Sequence, residues 1–122
     1  MPSICHFNIP VDDIERARTF YTNLFGWGIE RLPGPMDYYE IKTFTPDGEP
    51  TLGGGMAKRD DPHEGIVNYI DVSSVDNYCA KVTELGGKIV VPKMPVPGFG
   101  FLAVCLDTEN NVFGLWESAE HY

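Results

Sequence analysis

Apolar and polar positions along this chain follow one scheme twice. A short apolar strand ending in Ile9-Pro10-Val11 gives way to the polar pair Asp12-Asp13. Ile14, Ala17, Phe20, Tyr21 and Leu24 then recur at helical spacing and predict one apolar stripe on a helix. Asp12 is the expected N-cap, and Glu15 three residues on completes a capping-box pattern. Gly26 is placed to end the helix in a left-handed conformation. Sliding the chain by 61 positions repeats the scheme: Ile9 meets Ile70, Val11 meets Val72, Ile14 meets Val75, Leu24 meets Leu85 and Gly26 meets Gly87. In this second copy Ser73 and Asp76 take the capping positions, Val75, Tyr78, Cys79, Val82 and Leu85 form the stripe, and Gly86-Gly87 stops it.

Strand-like sequence follows each helix. In the first copy it covers residues 27–31, 38–45 and 51–57, with a Pro46-Asp47-Gly48 turn. In the second it covers residues 88–92, 101–107 and 112–117, with a turn over 107–111. Each half reads βαβββ. The expected fold is α+β: two tandem βαβββ modules pairing into a curved eight-stranded mixed sheet, with a concave cleft and the helices outside. One module alone would be marginal, because it leaves a sheet face uncovered. The expected organisation is one domain over 1–122, with module 1 at about 1–57, a polar linker at about 58–65 and module 2 at about 66–122.

Composition narrows the partners. Nine basic residues against eighteen acidic ones give a net charge of −9. Bulk electrostatics of that sign disfavours nucleic acid and anionic membranes and favours cationic or neutral small ligands. Cys5, Cys79 and Cys105 are odd in number, far apart and outside any C-x-x-C. They read as reduced, mostly buried thiols, and no adjacent His or cation in sequence marks one as a nucleophile. The N-terminus has neither a basic n-region nor an apolar h-region, so the expected location is cytoplasmic.

The paired modules, the start His-Phe-Asn-Ile-Pro-Val-Asp-Asp, the helix A-R-x-F-Y-x-x-L-F-G-W and the end D-T-E-N-N-V-F-G-L-W-E resemble the vicinal-oxygen-chelate superfamily, in its glyoxalase-like branch. That superfamily includes glyoxalase I, extradiol dioxygenases, methylmalonyl-CoA epimerase and bleomycin-resistance proteins. The resemblance covers nearly all of the chain. It implies a divalent metal held by side chains from the first and last strand of each module, with substrate oxygens on the metal as a Lewis acid. One fold hosts many functions, so the ligand positions decide.

Carried over singly, His6 matches the ligand on the first strand. The corresponding place in the second module is Val67, the last strand of the second module has Gly114, and the last strand of the first offers only Gly53, Gly54 and Gly55. Three of four positions lack a donor, and a catalytic metal needs about three protein ligands. Glu117 lies on the opposite strand face from Gly114, as a strand-end carboxylate in solvent. Asp71 shares the parity of Val67 but lies about 13 Å along the strand, and Asn68 faces the other way. No resident cofactor is expected. Zinc, nickel, manganese or iron belongs only to the alternative of a lactoylglutathione-lyase-like enzyme with a non-standard site.

The candidate cleft residues are His6, Tyr69, Trp116, Phe101, Gly54 and Gly114. His6 reads either as a pocket acid, base or hydrogen-bond donor or as a satisfied polar strand residue. Tyr69 and Trp116 share parity with Val67 and Gly114 and should face the cleft. Phe99, Phe101 and the 93–98 loop should stand at its mouth, unless the rings simply fill space that absent ligands leave. Only one of Tyr38 and Tyr39 can face the cleft. The glycine run lacks a following Lys-Ser/Thr and opens no helix, so it is a bend or a close-approach site and not a phosphate loop. His63 and His121 are expected in solvent. The expected function is metal-independent binding of a small molecule, cationic or aromatic, by a homodimer resembling bleomycin-resistance proteins.

Overall fold

A computed structural model describes residues 2–34 and 37–119. The elements run β1 (Ser3–Val11), α1 (Ile14–Phe25), β2 (Gly28–Arg31), β3 (Tyr38–Lys42), β4 (Gly53–Lys58), β5 (Val67–Asp71), α2 (Val75–Glu84), β6 (Lys88–Val96), β7 (Gly100–Leu106) and β8 (Val112–Ser118). The fold is α+β, with two helices and an eight-stranded mixed sheet in the order β2-β3-β4-β1-β5-β8-β7-β6. No helix among the described residues is long and apolar enough to cross a membrane.

The chain divides into two compact units, one over His6–Ile66 and the other from Val67 onward together with the residues through Cys5. In the first unit β1 pairs parallel with β4, and β3 pairs antiparallel with β4 and β2. Ile9, Val11, Ile29, Ile41 and Met56 form its core, covered by Ile14, Ala17 and Tyr21 of α1. In the second unit β5 pairs parallel with β8, and β7 pairs antiparallel with β8 and β6. Val72, Val75, Ala103, Cys105 and Leu115 form its core, against Tyr78, Cys79 and Val82 of α2.

Both helix starts fall one residue later than the sequence suggests. Asp13, not Asp12, is the N-cap of α1, accepting from the Arg16 amide at 3.0 Å. Asp12 instead meets the Arg59 guanidinium at 3.0 Å. Ser74, not Ser73, caps α2 and accepts from the Asn77 amide at 3.1 Å. Gly26 ends α1 at φ 74°, where a side chain would be strained. The stripes are narrower than expected: Phe20 and Leu24 are each 57% exposed and Leu85 is 76% exposed. A short helix on one sheet buries only the residues nearest that sheet, so an arc of apolar residues need not be buried along its whole width.

Strand β6 continues through Pro92 and Pro95 to Val96, where a loop was expected after Pro92. It lies at the sheet edge with β7 as its neighbour, and its ladder shifts register twice. Proline is tolerated there because an edge strand needs only half of its amide donors.

Candidate functional site

Strand alternation gives each unit a helix-covered face and an opposite face. In the first unit the opposite face carries His6 and Asn8 of β1, Gly53 and Gly55 of β4, and Tyr38 and Glu40 of β3. Asn8, Gly55 and Glu40 lie in one row across the three strands. Strands β1 and β3 are separated by β4, yet the Tyr38 hydroxyl donates to Asn8 Oδ1 at 2.9 Å and lies 3.0 Å from His6 Nε2. His6 Nε2 is also 3.0 Å from Asn8 Oδ1. Gly55 makes this bridge possible, since a Cβ there would fall 1.7 Å from the Tyr38 hydroxyl oxygen.

With the Asn8 carboxamide so oriented, Oδ1 is the shared acceptor, and one imidazole tautomer satisfies all three contacts. Nε2 carries a proton and points it between Oδ1 and the phenol oxygen. Burial pushes the His6 imidazole below its ordinary value of 6.5, against the opposing pull of the Asn8 hydrogen bond and the Glu40 charge. The folded chain therefore holds a neutral imidazole in a polar group of three.

A pH dependence follows. The unfolded chain takes up the proton first as pH falls, so the neutral His6 contributes stability that is fully present above about 6.5. That contribution is lost as pH drops through the lower folded value. Urea midpoints measured from about pH 8 to about pH 5 should fall more steeply for the native chain than for His6→Gln. Parallel curves would show that His6 titrates alike in both states.

In the second unit the face opposite α2 carries Tyr69 of β5, Gly114 and Trp116 of β8, and Leu102 and Val104 of β7. Tyr69 pairs directly with Gly114, and its ring lies over that glycine: a Cβ at 114 would meet Cδ1 at 2.2 Å. Tyr69 is 7% exposed. Its backbone carbonyl accepts from Cys5 Sγ at 3.6 Å, and burial raises the Cys5 thiol, helped by the Asp71 charge and opposed by a backbone hydrogen bond.

Two candidates sit elsewhere. Gly54 pairs with Phe7 and is buried on the helix-covered face, where a Cβ would meet the Phe7 ring at 2.6 Å. Phe101 pairs with Glu117 and packs against the α2 core, with the Lys93 ammonium 4.4 Å from its ring centroid. Register is the reason in both cases: each is one residue out of step with the opposite face. Asn8, Tyr38 and Glu40 were the residues sequence reasoning did not assign. Asn8 lies two positions from His6, so shared parity could have found it. His63 lies in an exposed segment, its amide donating to Asp61 Oδ1 at 2.8 Å, and His121 lies outside the described residues.

A glyoxylase-like domain-containing protein of Didymella fabae is 31% identical over 119 residues, spanning 92% of this chain and 91% of that protein. This chain belongs to the glyoxylase-like family. The family lies in the vicinal-oxygen-chelate superfamily, and residues 3–43 match the family described as bleomycin resistance protein-like N-terminal. The glyoxylase-like chain is also 27% identical over 117 residues to CFP32 of Mycobacterium tuberculosis, which carries a glyoxylase name, and over 126 residues to the anthracycline biosynthesis protein DnrV of Streptomyces peucetius. It spans only 45% of the length of each of these two. Among solved structures, methylmalonyl-CoA epimerase of Streptomyces coelicolor superposes with a TM-score of 0.70 at 17% identity, over 96% of this chain and 94% of the epimerase. That likeness is one of fold.

The donor set of this glyoxylase-like chain does not fit the divalent metal that the superfamily implies. His6 shares its Nε2 with Asn8 and Tyr38, and Gly53 and Gly55 beside it present no side chain. In the second unit Val67 and Gly114 supply no electron pair, and the Tyr69 ring fills the room a ligand-bearing side chain at 114 would need. No group of three His, Cys, Asp or Glu residues is placed to hold a metal among the described residues. Glu117 does not make up the deficit. Its Oε1 accepts from the Val75 amide at 2.9 Å, at the N-terminus of α2 on the helix-covered face.

Proposed function

We propose that this chain binds a small molecule without a metal, and that the His6–Asn8–Tyr38 group reads the ligand's polar atoms. The carrying observation is the closed set of three hydrogen-bonding contacts around a neutral imidazole, at the family position where a metal ligand would stand. A phenol, a carboxamide and a neutral imidazole together offer donors and acceptors without a fixed charge. Gly53, half-buried and paired with His6, leaves the β4 backbone open to a ligand there, whereas the space over Gly55 is filled by the Tyr38 hydroxyl. A net charge of −9 favours cationic compounds by long-range attraction. The bleomycin-resistance-like match and the name of DnrV suggest where to begin: a bleomycin and an anthracycline as cationic aromatic probes.

Thermal unfolding with each probe tests the reading. A probe at a hundredfold excess over its Kd should stabilise the chain by about 2.7 kcal/mol through mass action. Tyr38→Phe removes a single hydroxyl and should weaken the same probe by about tenfold, measured by calorimetric titration. If no member of a cationic aromatic panel raises the Tm, the binding reading fails. The glyoxylase names of the relatives favour a second reading, a lyase with a non-standard metal site. Metal analysis of protein purified without chelators separates the two. Stoichiometric zinc, nickel, manganese or iron that disappears in His6→Ala would establish the second reading and overturn the first.

A further inference from the structure

Trp27 and Trp116 are the two tryptophans of the chain, and the fold treats them differently. Trp27 sits in a ring cluster of the first unit, stacked on Tyr21 with centroids 5.1 Å apart and 9° between planes, against Phe7 and Phe25. Trp116 is half-buried on the second unit's face opposite α2, and its ring and indole N–H have no partner among the described residues. Indoles away from bulk water usually find an acceptor, and aromatic rings usually find one another. Register supplies the surroundings. Ile70, Leu115, Ala103 and Cys105 belong to the α2 core, so Asp71, Trp116, Leu102 and Val104 point the other way. Asp71 pairs with Trp116, Trp116 with Leu102 and Leu102 with Met94, a single row across β5, β8, β7 and β6. The adjacent row is Tyr69, Gly114, Val104 and Val91, with the Tyr69 ring filling the space over Gly114. Asp71 is exposed, and no hydrogen bond or ion pair occupies its carboxylate among the described residues. Basic groups lie elsewhere: Lys93 is held by Asp76 of α2 at 2.8 Å, and Lys88 pairs with Leu106 farther along the ladder.

We propose that this face of the second unit binds a flat organic cation, with the ligand's aromatic ring stacked on Trp116 and its positive charge beside Asp71. The proposal rests on metal-free binding of a small molecule, names the ligand class, and places the contact within the second unit alone. Adjacent strands run about 4.8 Å apart, so an ion over the Trp116 ring is within reach of the carboxylate on the next strand. The indole attracts a cation held within about 6 Å of its centroid, and the neighbouring Leu102 and Val104 side chains keep water from one side of the ring. An uncharged ring would stack equally well but leave Asp71 in water. An anionic ring would be repelled by Asp71 and by the net charge of −9. Stacking on Trp116 is thus the larger contribution, and the exposed Asp71 supplies a smaller, charge-selective one.

Proflavine, a flat cation near neutral pH, and acridine, the same ring frame uncharged there, are the paired probes, titrated calorimetrically into the full chain. Proflavine should bind more tightly than acridine and lose that advantage in high salt. Trp116→Leu keeps an apolar side chain at the half-buried position and should weaken both probes about tenfold. Asp71→Asn changes only the charge at an exposed position and should weaken proflavine about threefold while leaving acridine unchanged. If Trp116→Leu does not fold, the contrast between the two probes in Asp71→Asn still decides. Unchanged affinity in a folded Trp116→Leu, or equal effects on both probes in Asp71→Asn, would overturn the proposal. So would a native chain that ignores proflavine; if other cationic aromatics still raise its Tm, the metal-free reading survives that failure. Proflavine affinity that falls in Trp116→Leu but not in Tyr38→Phe would uphold this site and remove the role assigned to the His6–Asn8–Tyr38 group instead.

Discussion

Gly114→Ala should lower the unfolding free energy by about 1–3 kcal/mol, read from urea denaturation, although it adds one methyl group. The added Cβ would lie 2.2 Å from the Tyr69 ring, well inside van der Waals contact. Tyr69 cannot swing freely, because it is 7% exposed and directly paired with residue 114 across the β5–β8 ladder. The strain must therefore reach the ring, the strand or both. Repeating the substitution in a Tyr69→Ala background isolates the cause, since the two side chains touch and should be strongly non-additive. If Gly114→Ala costs the same with and without the ring, the ring is not what the methyl meets. The outcome also bears on function. A larger side chain at 114, a metal-ligating glutamate included, fits only if the Tyr69 ring gives way.

Glu117→Ala should cost about 1.5–3 kcal/mol, the usual range for a hydrogen bond to a charged group. Its carboxylate accepts from the Val75 amide at 2.9 Å, and Val75 is the first residue of α2 and fully buried. That amide has no partner within the helix, and the helix dipole adds to the attraction for a negative oxygen. Ser74 serves a different amide, that of Asn77, so it cannot take over. Glu117→Gln keeps an acceptor and should recover much of the loss. An Ala variant with an unchanged urea midpoint would show that water replaces the carboxylate. The sequence treated Glu117 as a solvated strand-end carboxylate, yet its side chain pins a helix.

Hydrophobic periodicity, end glycines and the internal repeat made the two modules and their element order legible, because those signals follow from local backbone geometry. Cap identity was less legible. Asp12 and Asp13, or Ser73 and Ser74, are chemically equivalent neighbours, and only the turn into the helix selects one. Burial along the helices was misjudged at Phe20, Leu24 and Leu85, because periodicity gives direction and says nothing about how closely the sheet approaches. At the candidate site His6 was visible through its motif. Its partners were not, because Tyr38 reaches it from two strands away across a glycine. That contact depends on register, which the sequence of one strand does not carry. The faces of Gly54 and Phe101 were missed for the same reason.

The two prolines in β6 have a consequence beyond the unit that contains them. Each deletes an amide donor from a terminal strand whose ladder already slips twice. A second chain seeking to extend the sheet there would find an interrupted row of hydrogen-bond donors. Val90 and Met94 can thus remain exposed on that rim without making it a template for fibrous polymerisation.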